Sequence, residues 1–158
     1  MARKDITMSE AEITRFLGEG RVVQVASLGP DGWPHLVPMW YVVEDGRIVF
    51  RSFTKSQKIL NLHRDPRLTV LVERGDAYAE LQGVLVKGTA DLDDDPDRVL
   101  ALYGAMAAKY AMVGDRPVRL DPDALEAAFG RFASKNTAVT VVPEKVISWD
   151  HTKLGGAY

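Results

Sequence analysis

Two short turns, Gly29-Pro30-Asp31-Gly32 and Glu44-Asp45-Gly46, each separate stretches rich in valine, and they commit the first third of the chain to antiparallel β structure. The strands they imply run over 21–28, 33–43 and 47–53, a three-stranded meander. Pro34 and Pro38 fall inside the second run, where each removes a ladder donor, so that strand is expected at an edge or at a bend, with backbone groups left free for a ligand. A fourth strand is expected over 68–73 and a long fifth over 78–92, which Gly83 and Gly88 interrupt with bulges or sharp curvature. Two final strands, 136–142 and 145–149, flank Pro143-Glu144. Helical spacing appears in four places. Ser9 and Glu12 have the spacing of a capping box ahead of Ile13, Phe16 and Leu17. Ile59, Leu60 and Leu62 precede the stop Asp65-Pro66. Asp95-Pro96 opens a helix to about Met112 with a stripe of Val99, Leu100, Leu102, Tyr103 and Met106, and Asp121-Pro122 opens another to about Phe132. Six or seven antiparallel strands with glycine bends and late helices describe a mainly β, α+β domain whose sheet closes, or nearly closes, into a barrel. No linker or repeat divides residues 1–158, so a single domain is expected.

Composition narrows the chemistry. Twenty basic and 22 acidic residues leave a formal charge of −2, so there is no net pull toward nucleic acid or an acidic membrane. No apolar run approaches the ~18 residues of a membrane span, and no secretory signal is read in MARKDITMSE, which makes a cytoplasmic location the expectation. The absence of cysteine removes thiol nucleophiles, iron–sulfur clusters and thiolate zinc sites, and His35, His63 and His151 lack metal-ligand spacing. No metal site is expected, and any redox chemistry has to come from a bound cofactor.

The most informative stretch is Arg51-Ser52-Phe53-Thr54-Lys55-Ser56-Gln57-Lys58, where a strand gives way to a helix. A helix N-terminus carries unpaired N–H groups and about half a positive charge, and acidic side chains usually occupy it. Lys55 and Lys58 stand there instead. Two readings fit: long lysines reaching into water, or a phosphate held among the lysines, the amides and the hydroxyls of Ser52 and Ser56.

This stretch and its surroundings carry a resemblance. KSQKILNLHRDPRLTVLVE resembles the signature of the pyridoxamine phosphate oxidase-like split-barrel superfamily, RVVQVASLGPDGWPHLVPMWYVVEDGRIVFRS resembles its first hairpins, and GVLVKGTADL its later strand. The ending SWDHTKLGGAY is similar to that of the flavin/deazaflavin oxidoreductases, the branch that includes users of coenzyme F420. The resemblance implies a split β-barrel of the FMN-binding type and a homodimer with two equivalent cofactor sites at the interface, each lined by both subunits. By matching positions, Ser52, Ser56, Gln57 and Lys58, with Arg51 and Lys55 nearby, would hold the cofactor phosphate, and His35, Leu36, Val37, Pro38, Met39 and Trp40 would run beside the ring. Trp40 would either flank the ring or pack into the core.

The function this implies is an oxidoreductase passing a hydride from reduced coenzyme F420 to a small unsaturated substrate. Its rivals are an FMN-dependent oxidase or reductase of the same fold and a non-catalytic cofactor or haem carrier. The arginine-rich ending of the vitamin-processing oxidases is missing, which argues against pyridoxamine phosphate as substrate. A polyglutamate tail on coenzyme F420 would favour a basic track, for which Arg51, Lys55, Arg64, Lys87, Arg131 and Lys135 are candidates. Asp150 and His151 are read as strand neighbours on opposite faces rather than a dyad, and Asp91, Asp93, Asp94 and Asp95 as a solvated turn and cap. No side chain is expected to act as nucleophile or general base.

Overall fold

The computed structural model describes residues 6–155. The elements in chain order are α1 (Glu10–Glu19), β1 (Val23–Leu28), β2 (Pro34–Met39), β3 (Val42–Glu44), β4 (Arg47–Phe53), α2 (Gln57–Arg64), β5 (Arg67–Arg74), β6 (Gln82–Asp93), α3 (Pro96–Ala107), α4 (Pro122–Ala133) and β7 (Asn136–Asp150). The seven strands form one antiparallel sheet in the order β2-β1-β5-β6-β7-β4-β3. Its two edge strands, β2 and β3, are consecutive in the chain and separated only by Trp40 and Tyr41. Two residues span only about 7–10 Å from Met39 to Val42, so the sheet has to curl until its edges nearly meet. That is the half-closed barrel of a split-barrel fold.

This arrangement corrects the expected meander. The run 33–43 is two strands on opposite edges, because Tyr41 leaves the ladder and turns into the core. Its N–H donates to the Tyr110 hydroxyl at 3.1 Å, and its own hydroxyl donates to the Leu17 carbonyl at 2.6 Å. The Tyr110 hydroxyl also lies 2.7 Å from the Tyr41 carbonyl and 2.8 Å from that of Arg21, so one side chain pins the corner. β2, with Pro34 and Pro38, does lie at an edge. The Asp45-Gly46 loop between β3 and β4 has positive φ at both residues, the conformation that matches the twist of a tight hairpin.

A second correction concerns the end of the sheet, where the two expected strands are the single β7. Proline does not break it because β6 shifts register opposite: Lys87 pairs with Lys145 and Gly88 with Pro143, leaving Glu144 as the extra residue. A Cβ at Gly88 would fall 2.0 Å from the Val142 carbonyl oxygen, so only glycine lets the strands cross there. Residues 78–80 form a 3-10 turn and β6 starts at Gln82, later than the expected strand. α3 ends at Ala107 rather than near Met112, since Tyr110 is diverted to the corner.

Two apolar clusters result. The barrel interior holds Val23, Val25, Phe50, Val70, Val84 and Val139 and receives Phe16 and Leu17 of α1 and Ile59 and Leu62 of α2. A second layer joins α3 and α4 to the outside of β4 and β7, through Leu102, Tyr103, Met106 and Phe129 against Val49 and Ala138. The late helices therefore brace the barrel wall. The Ser9–Glu12 capping box of α1 is formed, and Lys153 reaches Glu12 at 2.8 Å, with the Ser9 amide also bonded to it; together they hold that carboxyl down to about 2.

Candidate functional site

The site is built where β4 runs into α2. Along β4, Ile48, Phe50 and Ser52 alternate toward the barrel and Val49 and Arg51 toward the helical layer. Ser52 is nearly buried, and its hydroxyl lies 3.0 Å from that of Ser56 and accepts from Lys58 Nζ at 2.9 Å. Ser56 occupies the N-cap of α2 but makes no cap bond, because its hydroxyl is turned to Ser52. No acidic residue stands in the first turn. Lys58 has no ion-pair partner among the described residues, and burial pushes its ammonium below the usual lysine range. A desolvated cation, two hydroxyls and open helix amides are the donor set of a phosphate site.

Below this cluster α2 is anchored by a buried amide. Asn61 is fully buried; its Oδ1 accepts from Gln57 Nε2 at 2.7 Å and from Arg64 at 3.4 Å, and its Nδ2 donates to Ser27 Oγ of β1 at 3.1 Å. Gln57 and His35 line one groove of about 290 Å3, edged by Asp31, Trp33 and Pro34. The start of β2 and the first turn of α2 thus meet. Nδ1 of His35 is buried without a hydrogen-bond partner.

The other expected residues divide. Val37 and Met39 pack against the barrel core, while Leu36, Pro38 and Trp40 face outward. Trp40 stacks on Tyr110 with centroids 4.6 Å apart and planes 7° apart and stays 45% exposed, outside both apolar clusters. Arg51 does not join Lys58: it leaves β4 on the opposite face, lies 3.8 Å over the Tyr103 ring and donates to Asn136 Oδ1 at 3.1 Å. Its Nε is buried without a partner, and burial lowers its pKa despite the opposing influence of Tyr103. Lys55 is exposed.

The candidate basic track converges only in part. Arg64 donates to the Leu28 carbonyl, and Leu28, Pro34 and Lys87 line a second groove of about 400 Å3. Arg51 and Arg131 turn to Tyr103 and Phe132 instead, and Lys135 offers its carbonyl to Thr54. Asp150 and His151 do not pair: Asp150 Oδ1 accepts from Thr152, and His151 Nδ1 lies 2.8 Å from the Tyr78 carbonyl. Asp95 caps α3 as expected. Gly156, Ala157 and Tyr158 of the ending lie outside the described residues.

Sequence reasoning missed Asn61, Ser27 and Tyr110. Asn61 was detectable as an amide between Ile59 and Leu62 on the apolar face of a short helix, a place where a polar group needs a buried partner.

The family model described as pyridoxamine 5'-phosphate oxidase matches residues 9–149. No curated protein matches the sequence significantly. Among solved structures, a conserved hypothetical protein from Mycobacterium tuberculosis is 37% identical, with a TM-score of 0.87 over 98% of this chain and 92% of that one. An F420 reductase is 22% identical (TM-score 0.63, covering 84% and 93%), and an FAD-binding protein from Mesorhizobium loti is also 22% identical (TM-score 0.65, covering 90% and 94%). These last two likenesses are of fold.

Proposed function

The chain belongs to the pyridoxamine 5'-phosphate oxidase family, and from that footing we propose that it is an oxidoreductase that uses coenzyme F420 to reduce a small unsaturated organic substrate, working as a homodimer. The observation that carries the reading is the Ser52–Ser56–Lys58 cluster: a half-buried lysine with no acid beside it, at a helix start whose cap hydroxyl is turned away from the helix. A lysine placed for stability would ordinarily face a carboxylate, whereas this one donates to Ser52 and has no ion-pair partner among the described residues, which suits it to an anion. The choice of deazaflavin rests on the resemblance of the ending SWDHTKLGGAY to the flavin/deazaflavin oxidoreductases, since the fold likeness extends equally to an F420 reductase and an FAD-binding protein.

In this reading Lys58, Ser52 and Ser56 hold the cofactor phosphate, and Gln57 and His35 line the approach from it to β2. The free edge of β2 offers backbone groups to the polar rim of the ring, except at Pro34 and Pro38, which carry no N–H. Bound and reduced, coenzyme F420 supplies the hydride. The protein's work is to position the ring and exclude water from one of its faces, which requires no nucleophile; Asp150 and His151 are bonded to Thr152 and Tyr78 rather than to each other. Trp33 and Leu36, 75% and 63% exposed on and beside the edge strand, supply apolar surface that a second subunit would cover.

FMN is the second reading. It is favoured by the partial convergence of the basic track, since a grip on phosphate serves FMN without any surface for a polyglutamate tail. The absorbance of the purified protein, followed by titration with coenzyme F420 and FMN at low and high salt, separates the two. Tighter coenzyme F420 binding that weakens with salt, together with donor-dependent reduction of a conjugated acceptor, is the expected result. Tighter, salt-insensitive FMN binding would assign the flavin, and tight binding with no reduction of any acceptor would assign a carrier.

A further inference from the structure

His35 and Ser27 stand directly opposite one another in the β1–β2 ladder, so their side chains leave the same face of the sheet with Cβ atoms about 5 Å apart. Both are incompletely bonded. Ser27, nearly buried, accepts from Asn61 Nδ2 at 3.1 Å, and its own hydroxyl proton is directed to no other described group. Nδ1 of His35 is buried and has no hydrogen-bond partner. A buried hydroxyl proton lacking an acceptor and a buried ring nitrogen lacking any partner, on facing residues, are each other's remedy, since leaving either unpaired costs the full desolvation of the group.

Asn61 decides the direction of that contact. Its Oδ1 is occupied by Gln57 Nε2 and approached by Arg64, so its amide is oriented with Nδ2 toward Ser27. Ser27 Oγ could accept a second bond, but its own proton would then have no acceptor among the described residues, whereas giving that proton to His35 Nδ1 satisfies both groups. An imidazole that accepts at Nδ1 carries its proton at Nε2 when neutral. We propose that the Gln57–Asn61–Ser27 chain fixes His35 as its Nε2–H tautomer and that this N–H is a hydrogen-bond donor to the bound cofactor in the groove His35 shares with Gln57. Ser27 and Asn61 are then positioning residues, and His35 is the group that touches the ligand. The donor assignment is a property of the protein alone, whereas the ligand contact rests on the function proposed above.

Two measurements test the two parts separately. Imidazole 15N shifts of the ligand-free protein under alkaline conditions, where an ordinary histidine is neutral, should show His35 protonated at Nε2, and Ser27→Ala should turn that single tautomer into a mixture. Protonation at Nδ1, or a spectrum indifferent to Ser27→Ala, would overturn the tautomer assignment. For the contact, coenzyme F420 and FMN are titrated into His35→Gln, whose amide NH2 falls near the position of Nε2, and into His35→Asn, whose NH2 falls near Nδ1. The glutamine variant should bind within about twofold of wild type and the asparagine variant roughly three- to tenfold more weakly, the loss of one neutral hydrogen bond. Equal binding by all three proteins would overturn the contact. Wild-type protein that binds neither cofactor would overturn the contact and the proposed function together, while the tautomer result would stand on its own.

Discussion

Replacing Lys58 with methionine keeps most of the aliphatic stem and removes only the charge. In the folded protein that ammonium donates to Ser52 Oγ at 2.9 Å, is partly desolvated, and faces no carboxylate among the described residues. Its removal strands nothing, because Ser52 and Ser56 remain 3.0 Å apart and can bond to each other. The unfolding free energy of Lys58→Met should therefore stay within about 0.5 kcal/mol of wild type, or rise as the cost of holding a desolvated cation disappears. Cofactor affinity should respond very differently. A charge-assisted hydrogen bond to phosphate is worth about 1.5–3 kcal/mol, so the dissociation constant should increase roughly 10- to 150-fold. Lys55→Met is the matched control. Lys55 is exposed in the turn just before the N-cap of α2, so its attraction is screened, and the loss should be under about threefold and should vanish in high salt. Fluorescence titration gives affinity and urea unfolding gives stability for the three proteins. Wild-type affinity in Lys58→Met, or a loss of stability large enough to account for weaker binding, would refute the phosphate assignment.

Three further outcomes follow from the geometry. Gly88→Ala places a Cβ 2.0 Å from the Val142 carbonyl oxygen at the bulge, and urea unfolding should show a loss of about 1–3 kcal/mol; an unchanged midpoint would mean that the strand crossing is looser than described. Burial, and after it the neighbouring Arg21, pull the Lys109 ammonium from 10.5 down to about 8, so between roughly pH 8 and 10 the unfolded chain binds the extra proton and the folded protein gains stability as pH rises. Lys109→Met should lack that gain, and parallel pH–stability curves for the two proteins would refute the shift. Sedimentation should give about twice the 17.5 kDa chain mass, and Leu36→Asp, which puts a charge on the most exposed apolar side chain of β2, should shift it toward monomer; a wild-type monomer would remove the basis for a shared site.

The amino-acid sequence alone determined those features that local physics controls. The Asp45-Gly46 hairpin, the Ser9–Glu12 capping box, the Asp95 and Asp121 caps and the edge placement of a strand with two prolines all depend on a few adjacent residues. The Ser52–Ser56–Lys58 cluster was legible for the same reason, since its members are linked through one turn of chain. Tertiary structure decided whatever depended on groups far apart in sequence. Tyr110, 69 residues from Tyr41, breaks the run 33–43 into opposite edges of the sheet. Strand alternation puts Arg51 on the face of β4 away from Ser52, and the tertiary structure supplies the Tyr103 ring and Asn136 that hold it there. Asn61 joins Ser27 across 34 residues, and strand register sets His35 opposite Ser27, beside Gln57 in one groove. Propensity and spacing act over a turn or a hairpin, whereas the desolvation of Tyr41, Arg51 and Asn61 is fixed only by the partners that folding brings to them, and those partners determine which way each side chain points.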